Sequence, residues 1–205
     1  MNKAKLKILQ EAFKLFLKKS FKEVTMNELL ENSDLSRGTF YYYFKSKEQV
    51  FAEVIDRYCV RIPTTPQKPI NTESLFAFYH DYLTNASQMY AALGDNIRDA
   101  QADVFNYFSL TMDAMKRLPD FRATTKLINA EILKIWIRVI QSAREKGEID
   151  SVMTDEQIAW FFKFTMDGMG MKSEIEGITS ADNDRELLAL WDGFYKQIKS
   201  KIHKP

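Results

Sequence analysis

Apolar residues recur at spacings of three and four along nearly the whole chain, which is the period of helices packed on one side. Leu6, Leu9, Phe13 and Phe16, with lysines between them, predict an amphipathic first helix. Thr25 followed by Glu28 is a capping box, so a second helix is expected from Met26, with Leu29 and Leu30 on its apolar side. Ser33-Asp34-Leu35 breaks the pattern, and Ser36 is placed to cap a third helix from Arg37 to about Tyr43. Phe40 and Phe44 lie four apart and are the expected anchors of that helix, leaving Thr39, Tyr42 and Tyr43 to point away from the core. Ser46 with Gln49 caps a fourth helix through Val50, Phe51, Val54, Ile55 and Tyr58.

Pro63, Pro66 and Pro69 then fall within seven residues and cannot continue a helix. They divide the chain into an amino-terminal head, residues 1–61, and a larger body, residues 70–205. The body is again helical in period. Leu75, Tyr79, Tyr82, Ala86 and Leu93 form a stripe expected to end at Gly94. Shorter helices are expected between Asn96 and Leu118, ended by Pro119, and a long one from about Arg122 to Lys146, ended by Gly147. Thr154 with Gln157 should cap a helix to about Lys172, and Asn183 with Glu186 the last one, through Leu187, Trp191, Phe194 and Ile198. No strand alternation, repeat or low-complexity tract is visible, so the fold class is all-α in two domains.

Two body helices are apolar on more than one side. In the long one, Ile128, Ile132, Ile135 and Val139 form one stripe, and Leu133, Trp136, Ile137 and Ile140 another. In the next, Trp160, Phe161, Phe162, Phe164, Met166 and Met169 spread round most of the helix. Such helices are buried on more than one side. Burial within one subunit and burial against a partner copy both answer that need. Gly168 and Gly170 would permit a close helix approach.

Composition narrows the class. Hydrophobic residues make up 45% of 205 positions, enough for a core. The single cysteine, Cys59, excludes an intrachain disulfide framework and fits a reducing cytoplasm. The start, MNKAKLKIL, lacks a secretory apolar region. The longest uncharged stretch, Tyr82 to Gly94, is too short and polar to span a bilayer, which needs about 20 apolar residues. A soluble cytoplasmic protein with no membrane partner is therefore expected. The net charge of +1 says little, but residues 1–61 hold 12 Lys and Arg against 8 Asp and Glu. That modest positive excess is what a nucleic-acid-binding head, or simply a solvated helix face, would carry.

The stretch Thr25 to Glu48, TMNELLENSDLSRGTFYYYFKSKE, has the layout of a helix-turn-helix, whose second helix lies in the DNA major groove. A cation, a glycine, a hydroxyl and three phenols crowd its third helix. The run SRGTFYYYFKSKEQVF, Ser36 to Phe51, resembles the signature of the TetR family of bacterial transcriptional regulators. Ile8, Ala12-Phe13, Leu15-Phe16 and Phe21 to Thr25 also match that family's first helix and its connection to the second. The resemblance covers roughly residues 5 to 58. It departs at the turn, where Ser33-Asp34-Leu35 stands for the usual Ala-Gly-Val, and at Ser20, where Gly is common. The Gly position tends to need a left-handed backbone, which Asp tolerates better than most residues, at about 1 kcal/mol.

The resemblance implies a homodimeric DNA-binding regulator, a repressor released by a small ligand, with no cofactor. It places Arg37, Thr39 and Tyr41 at base edges, with Arg37 suited to guanine and Thr39 to a thymine methyl. Gly38 then lets backbone approach the DNA. Ser36 belongs to the same DNA-binding set, and Tyr42, Tyr43 and Lys47 are expected at phosphates. Thr25 and Asn27 would present hydroxyl, amide and backbone N–H groups to another phosphate. The resemblance also places the dimer interface on the two apolar body helices, through Ile135, Val139, Phe161, Phe164 and Met169. It places an effector pocket among body helices that carry Tyr82, Met89, Phe105, Phe108, Met112, Met115 and Trp136, apolar walls suited to an apolar or aromatic ligand.

Catalytic chemistry is not visible. There is no phosphate-binding Gly-rich loop, nucleophile elbow or metal-binding His pair, so no enzyme activity and no metal are expected. His80 and His203 are far apart, and His80 beside Asp81 reads as an ordinary surface residue. Cys59, without a matching His or Cys, reads as a buried thiol. The competing readings are a helical ligand-binding protein without operator recognition and, more remotely, a helical enzyme. The intact Arg37-Gly38-Thr39 and Ser46-Lys47-Glu48 argue against the first.

Overall fold

Every helix of the first part begins where a side chain can close its first turn. In the computed structural model, which describes residues 2–61, 68–99, 104–176 and 180–201, α1 (Lys3–Lys18) starts on Asn2, whose side chain accepts from Ala4 N–H at 2.9 Å. Helix α2 (Met26–Ser33) starts on a full capping box: Thr25 Oγ1 accepts from Glu28 N–H at 3.2 Å, and Glu28 accepts from Thr25 N–H at 2.9 Å. Helix α3 (Arg37–Tyr43) starts on Ser36, and α4 (Lys47–Ile55) on Ser46. The helix read from sequence to Tyr58 continues past Ile55 as a π-helical segment, Asp56–Arg61.

The turn between α2 and α3 behaves as its chemistry requires. Asp34 has φ 50° and ψ 41°, the left-handed conformation, and no other non-glycine among the described residues has positive φ. Ser33 is buried and donates its hydroxyl to the Leu30 carbonyl at 2.7 Å. Phe40 and Phe44 are both fully buried, as their spacing predicted.

The remaining helices are α5 (Leu75–Asp99), α6 (Val104–Arg117), α7 (Pro119–Glu145), α8 (Asp155–Glu176) and α9 (Ser180–Ile198). Among the described residues the one strand-like feature is an isolated bridge between Ile149 and Lys199, so the protein is all-α. Several boundaries differ from expectation. Helix α5 runs through Gly94 to Asp99, because an interior glycine costs only about 1 kcal/mol and a 25-residue helix absorbs it. One helix, α6, stands where shorter pieces were expected after Asn96. Pro119 both follows α6 and opens α7, three residues before the expected start at Arg122. At the first helical position its missing N–H would have had no partner anyway. Helix α9 begins by Ser180, so Asn183 lies inside it and is not its cap. Pro63 and Pro66 of the expected connection, and His203, lie outside the described residues.

Contacts group the chain into two compact units, Met1–Thr65 with Met89–Lys126, and Pro66–Gln88 with Leu127–Pro205. Compactness thus groups α6 with α1–α4, whereas position along the chain assigns it to the body. The first unit is built on rings. Phe13 stacks on Tyr58 with centroids 4.1 Å apart, Phe16 and Phe21 meet Phe51 edge-on, and Leu110 and Ala114 of α6 complete the core. The Tyr107 hydroxyl donates to the Tyr58 carbonyl at 3.1 Å.

The second unit centres on Trp136 of α7, stacked on Phe162 at 4.8 Å and met edge-on by Phe78 and Trp191. Helix α7 ends as expected. Gly147 takes φ 72°, its N–H donates to the Arg144 carbonyl, and Glu148 N–H donates to the Ala143 carbonyl. Glu148 then closes the start of α5. One carboxylate oxygen accepts from the Ser74 hydroxyl, Phe76 N–H and the Tyr195 hydroxyl; the other accepts from Leu75 N–H at 3.0 Å. Burial and that carboxylate push the Tyr195 phenol up. Thr154 and Gln157 form the capping box of α8 as predicted.

Two outcomes test these features. Asp34→Gly should hold or raise stability in urea unfolding, by up to about 1 kcal/mol, because it removes the Cβ penalised at that φ, whereas Asp34→Ala keeps the Cβ and should gain nothing. Equal losses in both would assign the effect to the side chain's exposed pairing with Lys7 instead. Glu148→Ala removes a shared charged acceptor and should cost about 2–3 kcal/mol in the same measurement. A loss below about 0.5 kcal/mol would mean water serves the α5 start equally well.

Candidate nucleic-acid interface

The short helix α3 has two sides with different work. Phe40 is buried and Tyr41 is half-buried, its ring meeting Phe40 at 5.7 Å. On the other side Ser36, Arg37 and Gly38 are exposed, and Tyr42 is 76% exposed. Thr39 is half-buried, and its hydroxyl lies 2.9 Å from Ser36 Oγ, which also accepts from Thr39 N–H. Tyr43 is half-buried against the core and edge-on to Tyr42 at 5.0 Å, so it turns away from the core less fully than expected. A Cβ built on Gly38 meets nothing within 4 Å. The fold therefore has no steric need of glycine there.

The amino end of α2 is exposed as well. Thr25 and Asn27 are exposed, but the Thr25 hydroxyl is committed to the capping box, which leaves the first-turn N–H groups as its donors. The Glu28 carboxyl is held down to about 2, first by the Lys19 ammonium and then by Thr25. A carboxyl lowered in the folded state stabilises fully above its ordinary value of 4.5, and that contribution is lost as pH falls toward about 2.

Lys47 is placed differently from the rest. Its ammonium donates to the Phe21 carbonyl at 2.8 Å and the Val24 carbonyl at 2.6 Å, and lies 4.4 Å from the Phe21 ring centre. Two backbone acceptors and a ring face already occupy the charge expected at a phosphate. The resemblance gave the position of Lys47 but not these acceptors, which lie 26 and 23 residues upstream.

The expected effector residues fall in both units. Tyr82 and Trp136 belong to the second, edge-on at 5.2 Å, with Tyr82 half-buried and Trp136 1% exposed. The Trp136 indole N–H is buried with no acceptor among the described residues. Met89, Phe108, Met112 and Met115 belong to the first. Met115 packs on its core and Phe108 is exposed. The Phe105 side chain lies outside the described residues.

The expected partner-facing residues also divide. Val139 is 4% exposed and serves its own subunit's core, because it lies three residues from Trp136 and shares its buried side. Phe161 stacks on Phe194 at 3.8 Å. Met169 is half-buried. Phe164 is 62% exposed and stacks on Trp160 at 4.6 Å, and Ile135 is also exposed. Trp160, in the sequence stripe but outside the expected interface set, joins them.

His80 is half-buried rather than a free surface residue. Its Nε2 lies 3.2 Å from Asp192 Oδ1, which also accepts the Tyr79 hydroxyl at 2.6 Å. Burial pushes the Cys59 thiol up to about 12, which leaves it inert as a nucleophile. Among the described residues no group of three or more His, Cys, Asp or Glu could hold a metal ion, and no helix is long and apolar enough to cross a membrane.

The comparisons with known proteins fall on these elements. The model of the family "Bacterial regulatory proteins, tetR family" matches residues 8–54, from α1 into α4. The HTH-type transcriptional regulator QacR of Staphylococcus aureus is 40% identical over 50 residues, 24% of this chain and 27% of QacR. The uncharacterized HTH-type transcriptional regulator YfiR of Bacillus subtilis is 26% identical over 168 residues, 82% of this chain and 78% of YfiR. A TetR-family transcriptional regulator from Rhodococcus superposes with a TM-score of 0.64 at 16% identity, covering 95% of this chain and all of that one. Residues 8–54 are thus a TetR-family helix-turn-helix, and the chain as a whole has the fold of the solved TetR-family regulators.

Proposed function

We propose that the protein is a cytoplasmic transcriptional repressor that binds a pseudo-palindromic operator as a homodimer and is released by a small apolar or aromatic ligand. Residues 1–61 read DNA; residues 70–205 bind the effector and the second copy. Two heads related by a two-fold axis meet half-sites one or more helical turns apart, about 34–36 Å each. Arg37 and Thr39 face base edges, with the half-buried Tyr41 reaching them only by its hydroxyl end, and Tyr42, Tyr43 and the α2 start at Thr25 and Asn27 face phosphates.

Gly38 carries the DNA part of this reading. A glycine in a helix costs roughly 0.5–1 kcal/mol against alanine, and none of the described residues fills the space its missing Cβ leaves. An approaching duplex accounts for it. Gly38→Ala should therefore hold or raise the melting temperature while weakening binding to a duplex selected from a random pool. Unchanged binding would remove α3 from the groove. Arg37→Ala should cost about 1–3 kcal/mol at one base position and relax preference there. Equal losses on selected and random DNA would place Arg37 on the backbone instead.

The ligand part rests on the aromatic cluster of the second unit, whose Trp136 N–H supplies a polar handle without an acceptor among the described residues. A ligand that prefers the non-binding state by about 1–3 kcal/mol lowers operator affinity roughly 5- to 150-fold, and operator lowers ligand affinity equally.

The dimer part rests on Phe164, Trp160 and Ile135, apolar yet exposed in one chain. Phe164→Asp should give a folded monomer in analytical ultracentrifugation, because a lone charge is costly in an apolar interface. Phe161→Asp should instead destabilise the subunit, since it breaks the stack with Phe194. A dimer persisting in folded Phe164→Asp would move the interface off α8.

A further inference from the structure

The segment between α1 and α2 is only a few residues long, yet three charged side chains from two other helices converge on Phe21 within it. From α4, Lys47 donates to the carbonyls of Phe21 and Val24 and sits 4.4 Å from the Phe21 ring. From α6, the Arg117 guanidinium lies 4.5 Å from the same ring. Asp113, one turn earlier on α6, accepts from Phe21 N–H at 3.3 Å and lies 3.8 Å from Arg117. The ring itself packs on Phe16 and Phe51. Thus Phe21 has its N–H held from α6, its carbonyl held from α4, and its ring flanked by a cation from each.

We infer that Lys47, Asp113 and Arg117 form a clamp on Phe21 that positions the amino end of α2 for its phosphate. Val24 precedes Thr25, the residue that caps α2, so holding the Phe21 and Val24 carbonyls fixes where α2 begins. Lys47 is then a positioning residue and not a phosphate contact. Its ammonium spends two of its three N–H donors on these carbonyls and lies against the Phe21 ring, so its charge is held at the α1–α2 segment. The positioning role rests on the reading of the first unit as DNA-binding.

The test uses full-length protein and a 30-base-pair duplex that the wild type selects from a random pool, read by fluorescence anisotropy across a salt series. Hydrogen exchange on the free protein follows the amides of Val24 to Leu29. Lys47→Met keeps the aliphatic stem and removes the charge. It should weaken binding about tenfold with the salt slope unchanged, and speed exchange in that stretch. Asp113→Ala and Arg117→Gln, on a helix with no expected DNA contact, should do the same more weakly, and they stand in if Lys47→Met fails to fold. A slope shallower by about one unit in Lys47→Met would show a neutralised phosphate and overturn the inference. Unchanged exchange in all folded variants would also overturn it. If the wild type selects no duplex, the DNA reading fails and the positioning role with it, while faster exchange would still show the clamp itself to be real.

Discussion

Burial of Phe40 and Phe44 is the interaction on which the proposed DNA-reading surface depends. Helix α3 has seven residues and α2 has eight, and helices so short do not persist in water alone. Two rings four positions apart, each fully buried, fasten α3 to the core that α1 and α4 supply. The opposite side of the same two turns is thereby left exposed with its polar groups outward. Caps at Thr25 and Ser36 set where each helix begins, and Asp34 sets the angle between them. The presentation of Arg37 and Gly38 is a consequence of packing on the far side of the helix.

What was legible in the sequence was mostly local. The caps at Thr25, Ser36, Ser46 and Thr154 were readable because the donor and acceptor lie three residues apart. The anchors Phe40 and Phe44 were readable from helical spacing, and Asp34 from the turn it occupies. What was not legible depends on distant partners. Asn183 and Glu186 have capping-box spacing, but α9 had already begun by Ser180, and spacing alone does not say which of several polar residues the backbone uses. Pro119 marks an ending or a beginning with equal right, and here it does both. Glu148 closes the start of a helix more than 70 residues away, and nothing at Ser74 or Leu75 announces it. Lys47 is the instructive case at the site. Its position pointed to DNA, while its charge is taken by carbonyls that only the folded α1–α2 segment brings near.

The two apolar body helices show how one pattern serves two purposes. Trp136, Val139, Ile140 and Phe162 are consumed by the subunit's own core. Ile135, Trp160 and Phe164, from the same stripes, remain exposed. A stripe read along the sequence cannot be divided in this way, because the division depends on which side each helix turns toward its neighbours. The exposed remainder includes a stacked pair of rings, Trp160 and Phe164, and it is this pair that the proposed dimer interface rests on.

The glycines make the same argument from the opposite direction. Added Cβ atoms at Gly38, Gly168, Gly170 and Gly193 would all meet nothing within 4 Å. Each stands in a helix, where glycine is a poor choice by roughly 0.5–1 kcal/mol. At Gly38, Gly168 and Gly193 the added Cβ would find open space among the described residues. Gly38 is on the face with Arg37 and Tyr42, while Gly168, Gly170 and Gly193 are on α8 and α9, the first two on the helix that exposes Phe164. Residues that weaken a helix without helping its own fold make sense where something outside the chain comes close. A duplex at α3 and a second copy at α8 and α9 are the two approaches that the proposed function would supply.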